Sequence, residues 1–108
     1  MGRWVFNFSE GPVGTTNETE FRYLLRVKGD SMIGAGILEG DLVVVKPQKA
    51  AGSGEIVVAM TPDGEGMVKT LSNKGNSPCL VAANPNYAPI PGPFEVVGKV
   101  IGVIRRLR

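Results

Sequence analysis

Two residues carry the chemistry that this sequence offers. Ser31 stands in Gly29-Asp30-Ser31-Met32, and Lys69 stands in Met67-Val68-Lys69-Thr70-Leu71. A serine becomes a nucleophile only beside a base that takes its proton. The chain has no histidine, which removes the Ser-His-Asp triad, the Cys-His dyad and imidazole metal ligands in one step. Carboxylates and lysines remain as bases. Lysines 28, 46, 49, 74 and 99 lie beside glycine, proline or charged residues, or near turns, where water keeps the amine protonated. Lys69 instead alternates with Met67 and Leu71, so a strand lays its stem against apolar surface.

Burial disfavours the ammonium form. Moving a lysine pKa from about 10.4 to near 7 corresponds to roughly 4–5 kcal/mol of differential solvation, within the range of buried amines. A neutral amine within hydrogen-bond reach of Ser31 would take its proton, as in the Ser-Lys variant of acyl transfer. Backbone N–H groups of Asp30 and Ser31 would then hold the oxyanion. Spacing alone leaves a second course open, in which Lys69 snorkels from the sheet edge to water. Nor does it show that the two residues meet.

The elements that must position them read as strands. Phe21-Arg22-Tyr23-Leu24-Leu25-Arg26-Val27 alternates, with Phe21, Tyr23, Leu25 and Val27 on one face, and gives out at Gly29 into the bend Ile33-Gly34-Ala35-Gly36. Leu38-Glu39-Gly40-Asp41 reads as a tight turn into Leu42-Val43-Val44-Val45-Lys46, whose apolar continuity predicts a fully buried strand. Glu55–Met60 and Glu65–Leu71 form a hairpin around Pro62-Asp63-Gly64, where proline presets φ and glycine accepts a positive one. Asn73-Lys74-Gly75-Asn76 marks a turn before Cys79–Ala83. The proline-rich stretch from Asn84 to Pro93 fits neither a helix nor an inner strand. Phe94–Ile104 is a long β-branched strand with Gly98 and Gly102 as bend or bulge points. No segment has a helical period. The expected fold is mostly β, a small folded sheet or partly closed barrel.

At 108 residues, 43% hydrophobic and 20% charged, the chain has the composition of one small globular domain. Residues 1–20 read as an N-terminal strand, with Trp4, Phe6 and Phe8 on one face, and a flexible connector; residues 21–108 read as the domain. The single Cys79 excludes an internal disulfide and a Cys-rich zinc site, so neither metal nor cofactor is expected. No leader or membrane-length apolar run is present, which makes the cytoplasm the default compartment. A net charge of +2 permits nucleic-acid binding, but no basic stripe with interleaved aromatics supports it.

Gly29-Asp30-Ser31-Met32 followed by Leu38-Glu39-Gly40-Asp41 resembles the C-terminal domain of LexA repressors and their UmuD and phage-repressor relatives. The resemblance continues through Gly54–Ala59, Met67–Leu71, Ala83-Asn84-Pro85-Asn86-Tyr87-Ala88-Pro89-Ile90 and Gly98–Arg105. It runs in order from about Leu24 to the end. It implies a serine-lysine self-cleaving peptidase of the SOS DNA-damage response, with Ser31 as nucleophile and Lys69 as general base. It further implies cleavage of the protein's own chain, stimulation by the RecA–single-stranded-DNA filament, and homodimerisation through this domain, with no direct DNA contact and no membrane. Three departures stand out: no helix-turn-helix segment precedes the match, no Ala-Gly or Cys-Gly pair lies before Ser31, and Met67 occupies a position where the family often has threonine. A UmuD-like mutagenesis protein and a catalytically idle dimerisation module are the alternatives.

Overall fold

Branched side chains pack well on a pleated, half-buried surface, and the Val- and Ile-rich segments of this chain fold accordingly. The computed structural model describes residues 5–6, 21–74 and 77–106. Its strands are β1 (Val5–Phe6), β2 (Tyr23–Arg26), β3 (Leu42–Pro47), β4 (Ile56–Met60), β5 (Gly66–Lys74), β6 (Ser77–Val81), β7 (Ile90–Pro91) and β8 (Glu95–Ile104). All eight form one sheet in the order β1-β2-β3-β8-β4-β5-β6-β7, with every neighbouring pair antiparallel. The sheet is open, with the two-residue strands β1 and β7 at its edges. The expected mostly β, folded-sheet class is what the chain adopts. Among the described residues the helical content is a single 3-10 turn, Ile33–Ala35. Trp4 and Phe8, and the connector that follows them, lie outside the described residues.

β8 bends the sheet. It pairs with β3 on one side and β4 on the other, and each register slips by one residue, between Val44 and Val45 and between Val58 and Ala59. An extra residue on one strand raises its local twist and bends it. The slips fall beside Gly102 and Gly98, as the sequence suggested. Gly98 is needed for close approach: a Cβ there would overlap the Val45 side chain and come within 3.2 Å of the Lys46 carbonyl oxygen. Curvature lets β2, β3, β4 and β5 share one core of Leu25, Val27, Met32, Ile37, Val43, Val45, Val58 and Val68. In a flat sheet, β2 and β5 would stand about 19 Å apart.

A second core lies on the other face of the β4–β5 hairpin, made by Val57, Ala59, Met67, Leu71, Leu80 and Val96. The hairpin is therefore covered on both sides. Gly64 closes its tip with φ of 85°, and its N–H donates to the Thr61 carbonyl at 2.9 Å. Two expectations change. β3 is not fully buried: Val43 and Val45 are inaccessible, whereas Leu42 and Val44 are only half-buried. Only one face of β3 meets the core, so four successive apolar residues here mark a half-exposed strand. On β2, Leu24 is buried as well as Leu25, and Phe21, just before the strand, is exposed, so alternation assigned the faces of this segment only in part.

Candidate active site

The turn that carries Ser31 follows from its neighbours. Gly29 takes φ of 84° and reverses the chain after β2. Beyond Ser31, the 3-10 turn closes with Gly36 in the left-handed region at φ of 80°. Asp41 finishes the loop: its carboxylate accepts from the Leu38 N–H at 2.8 Å, and the Asp41 N–H donates to the Leu38 carbonyl at 3.0 Å. Ser31, Met32 and Ile37 are buried within this loop, so the nucleophile candidate is held by packing as well as by hydrogen bonds.

Lys69 sits in β5 opposite Val57 of β4, with Met67 and Leu71 at the alternating positions on either side. It is 2% exposed, and its Nζ donates to the Ser31 Oγ at 2.8 Å, with Ser31 itself 7% exposed. The amine does not snorkel. Burial pushes the Lys69 pKa below the ordinary lysine value, and the negative charge of Glu65 opposes that shift in part. Desolvation dominates because no carboxylate bonds the amine among the described residues. An amine of this kind exchanges a proton with a hydroxyl at hydrogen-bond distance.

The N–H groups of Asp30 and Ser31 take part in no hydrogen bond among the described residues. The carbonyl of Asp30 is engaged twice, accepting from the Ile33 N–H at 3.3 Å and from Asn84 Nδ2 at 3.0 Å. Asn84 is buried, and its Oδ1 accepts from the Asn86 N–H at 2.9 Å. Next to it, the Ala83 carbonyl accepts from the Gly34 N–H at 2.7 Å; a Cβ on residue 34 would fall 2.6 Å from that same oxygen. Tyr87 completes the cluster: its hydroxyl donates to Asp30 Oδ1 at 2.5 Å, and its ring centroid lies 5.5 Å from Lys69 Nζ. Residue types and spacing did not single out Asn84 or Tyr87. An asparagine two residues before another polar residue signals a local Asx turn, but what that turn holds depends on tertiary contact.

The chain matches the Peptidase S24-like family over residues 6–104. It belongs to that family. A serine-peptidase kind of activity goes with the membership, and the family's region spans nearly the whole chain. The chain is also 50% identical over 86 residues to a LexA repressor of Acidothermus cellulolyticus, covering 79% of this chain and 31% of that protein. It is 50% identical over 86 residues to a LexA repressor of Mycobacterium leprae, covering 79% of this chain and 36% of that protein. The chain thus spans about a third of the length of these relatives. No helix among the described residues is long and apolar enough to cross a membrane.

Proposed function

We propose that this S24-like domain is a serine-lysine autopeptidase of LexA type, which cuts a peptide bond in its own chain or in a linked partner chain. The observation that carries the reading is the 2.8 Å hydrogen bond between a buried lysine amine and a buried serine hydroxyl. Neutral Lys69 removes the Ser31 proton as Oγ attacks the scissile carbonyl, and the lysine then returns that proton to the leaving amine. The N–H groups of Asp30 and Ser31 face no competing acceptor among the described residues and serve the oxyanion. Water hydrolyses the resulting acyl-serine, with Lys69 again as base. Stimulation by the RecA–single-stranded-DNA filament, as part of a DNA-damage response, belongs to the same reading and is supported by the motif resemblance and by the likeness to LexA repressors.

Homodimerisation is the other half of the proposal. Ile101, Val103 and Ile104 stand 41–47% exposed at the end of β8, with Leu38 at 42% on the turn that Arg105 reaches through Asp41. An apolar strand end of this kind calls for cover, and a two-fold copy supplies it. Light scattering at high micromolar concentration should give twice the chain mass; a monomeric mass contradicts this part.

The catalytic half is tested by supplying a substrate. An extended apolar segment carrying Ala-Gly, fused upstream of Arg3 or added as a peptide, should be cut, and faster at mildly alkaline pH. Failure to cut at any pH would leave the domain as a dimerisation module without chemistry.

A further inference from the structure

We propose that Tyr87 is a positioning residue for this cleavage, its ring capping the Lys69 amine while its hydroxyl fastens the turn that carries Ser31. The inference rests on the Ser31–Lys69 reading and adds a third group to it. Two contacts from one side chain reach the two halves of the dyad. The hydroxyl donates to the Asp30 carboxylate at 2.5 Å, one residue before the nucleophile, and the ring centroid lies 5.5 Å from Lys69 Nζ. Donation to a carboxylate at that length is a charge-assisted bond, among the stronger neutral-to-ion contacts. The same bond raises the Tyr87 pKa above its usual value, which favours the protonated, donating hydroxyl.

The segment that presents Tyr87 is built for this placement. The Tyr87 N–H donates to the Asn84 carbonyl at 3.1 Å, and Asn84 itself holds the Asp30 carbonyl. Asp30 is therefore gripped at both its backbone and its side chain by residues 84–87. That grip leaves the nucleophile turn little freedom to rotate Oγ away from the amine. A displacement of about 1 Å at such a position costs up to 100-fold in rate.

The ring acts on the base in a different way. An aromatic face within about 6 Å of a cation favours the charged form, so Tyr87 opposes the desolvation that drives Lys69 towards neutrality. Among the described residues, the other polar groups that act on this amine are the Ser31 hydroxyl from the turn and Glu65 from the tip of the β4–β5 hairpin. Its partner across β4 is the apolar Val57. Among the described residues the Asp30 carboxylate bonds the Tyr87 hydroxyl and not the amine. With so few charges nearby, a change in the ring should show in the titration of Lys69.

Two substitutions separate the roles. Tyr87→Phe keeps the ring and removes the latch: cleavage of an added Ala-Gly peptide should fall about 10-fold in kcat with KM and the pH midpoint unchanged. Tyr87→Leu removes ring and latch but keeps apolar cover: the same fall should come with a midpoint about half a pH unit lower. Asp30→Ala should match Tyr87→Phe, and the two together should be no worse than either alone. A wild-type rate in Tyr87→Phe, or additive losses in the double variant, overturns the latch. An unmoved Lys69 amine titration in Tyr87→Leu, followed by NMR of labelled lysine, overturns the ring's role. That titration needs no turnover, so it judges the ring's role even if the wild-type domain cuts nothing, an outcome that would refute the proposed cleavage and leave Tyr87 no reaction to position.

Discussion

The loop between β2 and β3 meets a buried ionisable group near each end, Lys69 of β5 at Ser31 and its own Asp41, and the protein treats the two in opposite ways. At the far end Asp41 is 3% exposed and receives Arg105 twice, from Nε at 2.9 Å and Nη2 at 2.8 Å, together with the Leu38 N–H. Those bonds, with the guanidinium bond foremost, hold its carboxyl below the ordinary range. At the near end Lys69 is as deeply buried but is given a serine hydroxyl instead of a carboxylate. One burial is compensated and keeps its charge. The other is left uncompensated, so the amine is driven towards the neutral form that a base requires. Exposure is nearly the same, 2% for Lys69 and 3% for Asp41; the partner decides whether the group serves structure or chemistry.

The largest effect that sharpens this contrast is on cleavage. Ser31→Ala and Lys69→Ala should each lower cutting by roughly 10⁴-fold or more, and the double variant should be no worse, because the two act as one unit. Asp41→Ala should act on stability instead. It strands the Leu38 N–H and leaves Arg105 with its bond to the Gly36 carbonyl, at a cost of about 1–3 kcal/mol in denaturant unfolding. The pH dependence follows in sign: a carboxyl depressed in the folded state contributes fully above its unfolded pKa, and that contribution is lost as pH falls through the lower folded value. Wild-type and Asp41→Ala domains should therefore converge in stability under acid.

Lys69→Met gives the smaller and opposite result. Because the lysine pKa is lowered on folding, the unfolded chain binds the proton more tightly, and burial of the amine costs stability at neutral pH. An apolar replacement of similar length should raise Tm by a few degrees, about 1 kcal/mol. That gain should shrink as pH rises towards about 10.4, where the unfolded lysine also becomes neutral. A gain that grows with pH would mean that the lysine is charged and paired in the folded state, which would erase the contrast with Asp41.

Much of this was legible in the residues. Period-two alternation around Lys69, glycines flanking the β8 bulges and the Pro62-Asp63-Gly64 hairpin each encode a local conformation, and local rules read them. The apolar run Leu42–Val45 misled because continuity alone does not distinguish a strand covered on two faces from one covered on a single face. The meeting of Ser31 with Lys69 was not local: it joins residues 38 positions apart, on the loop after β2 and on β5. Arg105 illustrates the same limit. In sequence it stands among the last residues of the chain with Arg106 and Arg108, yet it bonds a buried aspartate just before the neighbouring strand β3. Tyr87 and Asn84 lie in a stretch whose prolines explained only what it does not form.

The most direct test is the titration of the Lys69 amine itself, followed through its side-chain carbon and nitrogen resonances in labelled protein and assigned with Lys69→Met. The midpoint should lie below that of an ordinary lysine and coincide with the midpoint at which cleavage of the fused segment rises with pH. A midpoint at or above the ordinary lysine value, or a cleavage profile that ignores it, would contradict the assignment of Lys69 as the base.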